Sequence, residues 1–150
     1  MRTAFAIVTC LAWALWFGGL IALFLFVQRL FASDRDLAAQ AAPMLFATFE
    51  RYQMLLAAAA LLAAFGWRLA VRTRLQTAIF ALLALAAAAA ALGPIYISRP
   101  MHALRVQGLS GSPQFKRLHG GSMVLYVSQA ASLAGAGAML PVALRRQAAT

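Results

Sequence analysis

Acidic side chains are scarce: Asp34, Asp36 and Glu50 are the only three, against 13 Lys and Arg. Acid–base machinery built on paired carboxylates needs two acids facing one another. No apolar stretch of this chain holds such a pair. Charge of either sign is also thin, at 11% of residues, where soluble domains carry about 25%. A soluble fold of 150 residues needs far more polar surface than that. Cysteine occurs once, at Cys10 inside an apolar run, so an internal disulfide is excluded. Its plain reading is a small buried hydrophobe. Histidine occurs twice, at His102 and His119, and only His119 borders an apolar span. Haem held from facing helices would need a second such histidine. The chain therefore offers no catalytic set, no metal cluster and no cofactor box, and no enzymatic activity is expected of it.

Hydrophobic residues, by contrast, make up 64% of the chain, and mean hydropathy is +0.82. They fall into four long runs. Residues 4–27 contain no charge over 24 positions, enough at 1.5 Å per residue to cross a hydrocarbon core of about 30 Å. That run is too long for the apolar region of a cleaved signal peptide, about 7–15 residues, so it reads as a retained span. A polar link, FASDRDLAAQ, follows, with Pro43 suited to the first turn of the next helix. The second span is expected at about 48–67, with Glu50 and Arg51 at its headgroup edge and Trp67–Arg68 as an interfacial anchor. A short link then forces a hairpin into the third span, about 75–97. Six consecutive alanines, 86–91, are only weakly lipophilic, so Ile79, Leu82, Leu83, Leu85 and Leu92 carry that span, and Gly93–Pro94 is expected to kink or end it. The segment MHALRVQGLSGSPQFKRLHG reads as a short interfacial helix followed by a turn. The fourth span is expected at about 120–140, ended by Pro141 and Arg145–Arg146. The first three spans are apolar all round, which a chain this small supports only in lipid. The expected fold is all-α: one membrane domain over 1–150, a four-transmembrane-helix bundle running up-down-up-down, with a short interfacial segment between helices 3 and 4.

The net charge of +10 is distributed as punctuation between these runs. Arginines at helix ends suit a bilayer with anionic headgroups as the partner, and not nucleic acid. Antiparallel spans put Arg2, the 68–74 arginines and Arg145–Arg146 at one rim, with no acid. The other rim or its margin receives all three acids and both histidines. Basic residues number six at the first rim and seven at the second. Net charge is thus more positive at the first rim, giving both termini a cytoplasmic placement. Heavy use of Ala and Arg suits a bacterium of high GC content, hence an inner membrane.

One polar pattern stands out. His119, Ser122, Tyr126 and Gln129, spaced three, four and three, share an arc of roughly 80° on a helix. Such a stripe should face the bundle interior or a wet cavity. Three readings are open: interhelical hydrogen bonding, a polar groove for a solute, ion or proton, and metal or haem ligation. Glu50 is either a plain headgroup-level charge or a partner of His119 or Arg117 across the same rim. Trp13 and Trp16 lie mid-span, where large rings suggest packing at a close helix crossing. Ala14, Gly18 and Ala22, and Ala131 and Gly135, form small-residue ridges of the kind that support close crossings and homo-oligomers.

WFGGLIALFLF (16–26), then LFATFERYQ (45–53) and FKRLHGGSMVLY (115–126), resemble the corresponding stretches of the transmembrane protein 205-like family. The resemblance in layout spans nearly the whole chain. It implies a four-span fold and a membrane address without a known reaction, and it singles out Trp16, Gly18, Gly19, Phe115, His119, Gly120 and Ser122. The family pattern leads one to expect Asn seven residues after the histidine, where this chain has Tyr126. Two functions follow as expectations. The first is a non-enzymatic membrane protein working through helix–helix or partner interaction. The alternative is a small carrier or export accessory using a polar groove on the last helix.

Overall fold

The protein, seen in a computed structural model that describes residues 1–148, is built almost entirely of helix. Helix α1 spans Arg2–Ser33, α2 spans Arg35–Val71 and α3 spans Arg74–Gly93. A π-helical turn, Pro94–Ser98, joins α3 to α4, Arg99–Val106, and α5 covers Pro113–Ala148. The segment Arg74–Val106 is thus one rod of 33 residues. Four rods of 32, 37, 33 and 36 residues result, each long and apolar enough to cross a membrane. At 1.5 Å per residue they reach about 48–56 Å, beyond the 40–45 Å of a bilayer with its headgroups. Four antiparallel helices with short links form an up-down-up-down bundle.

The helices run well past the apolar stretches. The expected ten-residue link after α1 shrinks to one residue, Asp34. Its extended backbone breaks the helix, and its carboxylate accepts from the Asp36 and Leu37 amides at 3.0 Å each. That cap starts α2 at once, because Leu37, Ala38, Ala39, Ala41 and Ala42 are strong helix formers. Pro43 therefore lies inside α2 and not in its first turn. Pro141 likewise lies inside α5, which continues through the arginine pair. Gly93–Pro94 does not end its helix; the missing N–H is absorbed by the π turn. The link between α2 and α3 is only Arg72–Thr73, with Arg72 in the left-handed region at φ 52°. Gly108, at φ 72°, makes the turn after α4, where a side chain would be strained. Ser112 then opens α5, its hydroxyl accepting from the Phe115 amide at 3.2 Å.

Around the bundle the order is α1, α2, α3, α5 and back to α1. The pairs α1/α3 and α2/α5 are diagonals whose backbones do not touch. Buried side chains along the central axis include Trp16, Leu20, Ala60, Leu83, Leu133 and Ala136. Large apolar residues such as Leu11, Leu15, Leu55, Leu62 and Val127 point outward, as lipid requires.

Candidate functional site in the bundle core

Register follows from the turns. Phe49 and Tyr52 of α2 pack against Gly19 of α1, at 3.2 and 3.3 Å from where a Cβ would stand. Gly19 lies in the interior of the 4–27 run. The turn of α2 that carries Glu50 is therefore level with the inside of α1's apolar stretch. The helical 35–47 segment sets Glu50 about 24 Å from Asp34 along α2, inside the packed bundle and not at the start of the helix. It is buried, at 9% exposure, and its carboxylate accepts a hydrogen bond from the Ser98 hydroxyl on the π turn. Neither His119 nor Arg117 meets it: both side chains are exposed.

A second polar knot lies one turn deeper. Gln53 is buried at the centre of the bundle. Its Oε1 accepts from Gln129 Nε2 at 2.7 Å, across the α2/α5 diagonal, and from Trp16 Nε1 of α1 at 3.5 Å. One amide thus ties three helices together. Between this knot and Glu50 is a small cavity of about 20 Å³, lined by Glu50, Gln53, Ser98, Ser122, Tyr126 and Gln129. That is room for about one water molecule. Ala89, Ala90 and Gly93 form part of its wall on α3. Pro94 has no N–H, so the Ala90 carbonyl lacks its usual donor four residues on.

The stripe on α5 leads inward. His119 is exposed, Ser122 and Tyr126 are half-buried, and Gln129 is fully buried. The structure thus brings Ser122, Tyr126 and Gln129 to the cavity with Glu50 and leaves His119 outside it, at the rim. Ser122 donates to the His119 carbonyl at 2.7 Å. The ring of Tyr126 packs against Phe24 and Phe46, with centroids 5.5 and 5.4 Å away, and closes the corner between α1, α2 and α5. Beyond Gln129 the core is Ala57, Ala60, Leu83, Leu133 and Ala136. The buried hydroxyls of Thr9 and Ser132 are turned back onto their own helices, at the Phe5 and Ser128 carbonyls.

The remaining singled-out positions serve the frame. Trp16 is wholly buried and belongs to the knot. Gly18 faces outward with nothing within 4 Å of a Cβ, as does Gly120. Phe115 lies under the Arg105 guanidinium, 5.3 Å from ring centroid to Cζ. Among the described residues no group of three His, Cys, Asp or Glu could hold a metal ion.

No protein-family model, curated protein or solved structure matches this chain. The site's chemistry is therefore read from its own residues. Gln53 and Ser98 were not singled out from sequence. The available signal was the spacing of Glu50 and Gln53, three apart and so on one helix face.

Proposed function

We propose that this four-span membrane protein binds a small polar solute or ion within the bilayer, in a pocket reached from the rim that carries Asp34 and His119. In that role it is a small carrier or an accessory of one. The supporting observation is Glu50: a buried carboxylate, level with the interior of α1's apolar run, beside a small polar cavity. Packing alone is served by serines and glutamines, whose interhelical contacts are worth about 0.6–2 kcal/mol. A carboxylate taken out of water costs more than these contacts return unless it is paired. Such a cost favours a role that needs the carboxylate itself. The Trp16–Gln53–Gln129 knot closes the inner end of the pocket, so transport requires that knot to open or a second copy to complete the path.

Accessibility tests this reading. Silver ion, a thiol probe small enough for the space, is applied to membranes carrying Ser122→Cys, Tyr126→Cys or Leu133→Cys in a Cys10→Ala background. Protection from later maleimide labelling is expected at 122 and 126 and not at 133. Full maleimide labelling at all three overturns the pocket. We further propose that the termini and the Arg72–Thr73 turn lie in the cytoplasm of a bacterial inner membrane; Lys and Arg are nearly even between the rims, six against seven, and the more positive net charge of this rim breaks the tie. Reporter fusions at residue 72 and at the C-terminus should read as internal; external signals reverse the orientation.

A further inference from the structure

The make-up of the cavity narrows the ligand. Its polar groups are oxygen-rich: the Glu50 carboxylate, the Ser98, Ser122 and Tyr126 hydroxyls and the Gln53 and Gln129 amides. No thiol or imidazole lines it, which disfavours the softer transition metals. Oxygen donors suit hard cations, and the formal charge on offer is a single negative one. Magnesium demands octahedral geometry and retains several waters, for which about 20 Å³ has no room. A bare alkali cation of sodium size takes no more space than one water. Ser98 donates its proton to one Glu50 oxygen, so the second carboxylate oxygen and the serine lone pairs remain available.

We propose that this cavity is a binding site for a largely dehydrated monovalent cation of sodium size, held by the Glu50 carboxylate and the hydroxyls of Ser98, Ser122 and Tyr126. The inference rests on the pocket reading above and gives it a ligand class. A cation there neutralises the carboxylate where burial makes an unpaired charge costly. It enters from the rim of His119, where Ser122 is the first half-buried hydroxyl of the stripe.

The test measures radioactive sodium bound to the purified full chain in detergent, at constant ionic strength set with choline chloride. Saturable binding is expected, displaced by unlabelled sodium and not by choline. Glu50→Gln keeps the shape and a hydrogen-bond acceptor for Ser98, and should abolish saturation. Ser122→Ala should weaken it by about tenfold, equal to 1.4 kcal/mol. Should Glu50→Gln fail to fold, Ser98→Ala and Ser122→Ala carry the test. The proposal is overturned by wild-type protein that binds no sodium, by equal competition from choline, or by variants that bind as wild type does. Absent sodium binding with silver protection intact at 122 and 126 rejects the cation and leaves the pocket. Loss of both rejects the pocket as well.

Discussion

From Gln53 toward the Arg72–Thr73 turn, the core is Ala57, Ala60, Ala64, Leu83, Leu133 and Ala136; from Gln53 toward Asp34 it holds Glu50, Ser98, Ser122 and Tyr126. The two halves also differ in how closely their helices meet. In the apolar half two glycines form notches for aromatic rings, while Gly135 meets Leu82 at 3.4 Å. A Cβ on Gly66 would lie 2.7 Å from Phe5 Cε1, and one on Gly137 would overlap the ring of Trp13. Trp13 is pinned there by its indole N–H, which donates to the Leu133 carbonyl at 2.7 Å. In the polar half the nearest equivalents are looser: 3.2 Å at Gly19 and 3.4 Å at Gly121, with Gly18, Gly93 and Gly120 open. Close packing by van der Waals contact is the main force joining helices in lipid. One half of the bundle is therefore locked, and the other keeps space for a ligand.

The sharpest way to break that contrast is to fill a notch. Gly137→Ala forces Trp13 out of its place and should cost about 1–3 kcal/mol, in the range of overpacked cores. Gly120→Ala, on the exposed face of the same helix, should be neutral or stabilise by up to about 1 kcal/mol, since alanine is the better helix former. Detergent-titrated unfolding followed by tryptophan fluorescence separates the two. Equal effects at both positions would mean that the halves are packed alike.

The four-helix architecture was legible because lipid leaves few alternatives: long uncharged runs must satisfy their backbones as helices. The ends were harder to read. Asp34 alone stops α1 and starts α2, whereas the polar letters around it suggest a longer link. Polarity and helicity are independent here, since the segment 35–47 is helical in spite of its polar start. That one difference places Glu50 well along α2 and inside the packed bundle. The α5 stripe was visible as a periodicity, and three of its four members line the cavity. His119 shares their arc but not their depth, which angular position alone does not encode. Gln53 and Ser98 stayed hidden because their role depends on the α2/α5 diagonal and on the π turn at Pro94, both products of tertiary register.

A finer prediction, a coupling energy, concerns the knot that separates the halves. Gln53→Leu leaves Gln129 Nε2 and Trp16 Nε1 without their acceptor in the buried centre of the bundle. A buried donor so orphaned costs about 1–3 kcal/mol. Gln129→Leu removes one donor and leaves Gln53 Oε1 with the longer Trp16 contact, so its cost should be smaller. The double variant replaces both amides by side chains of similar size and should be more stable than Gln53→Leu alone. The coupling from the full cycle is expected at about 0.6–1.7 kcal/mol, the span found for hydrogen bonds between membrane helices. A coupling near zero would mean that the amides find other partners when separated, and that the apolar contacts alone divide the dry half from the pocket. A coupling inside the range makes the Gln53–Gln129 bond the inner wall of the site. Its breakage is then the event that any passage through the bundle has to include.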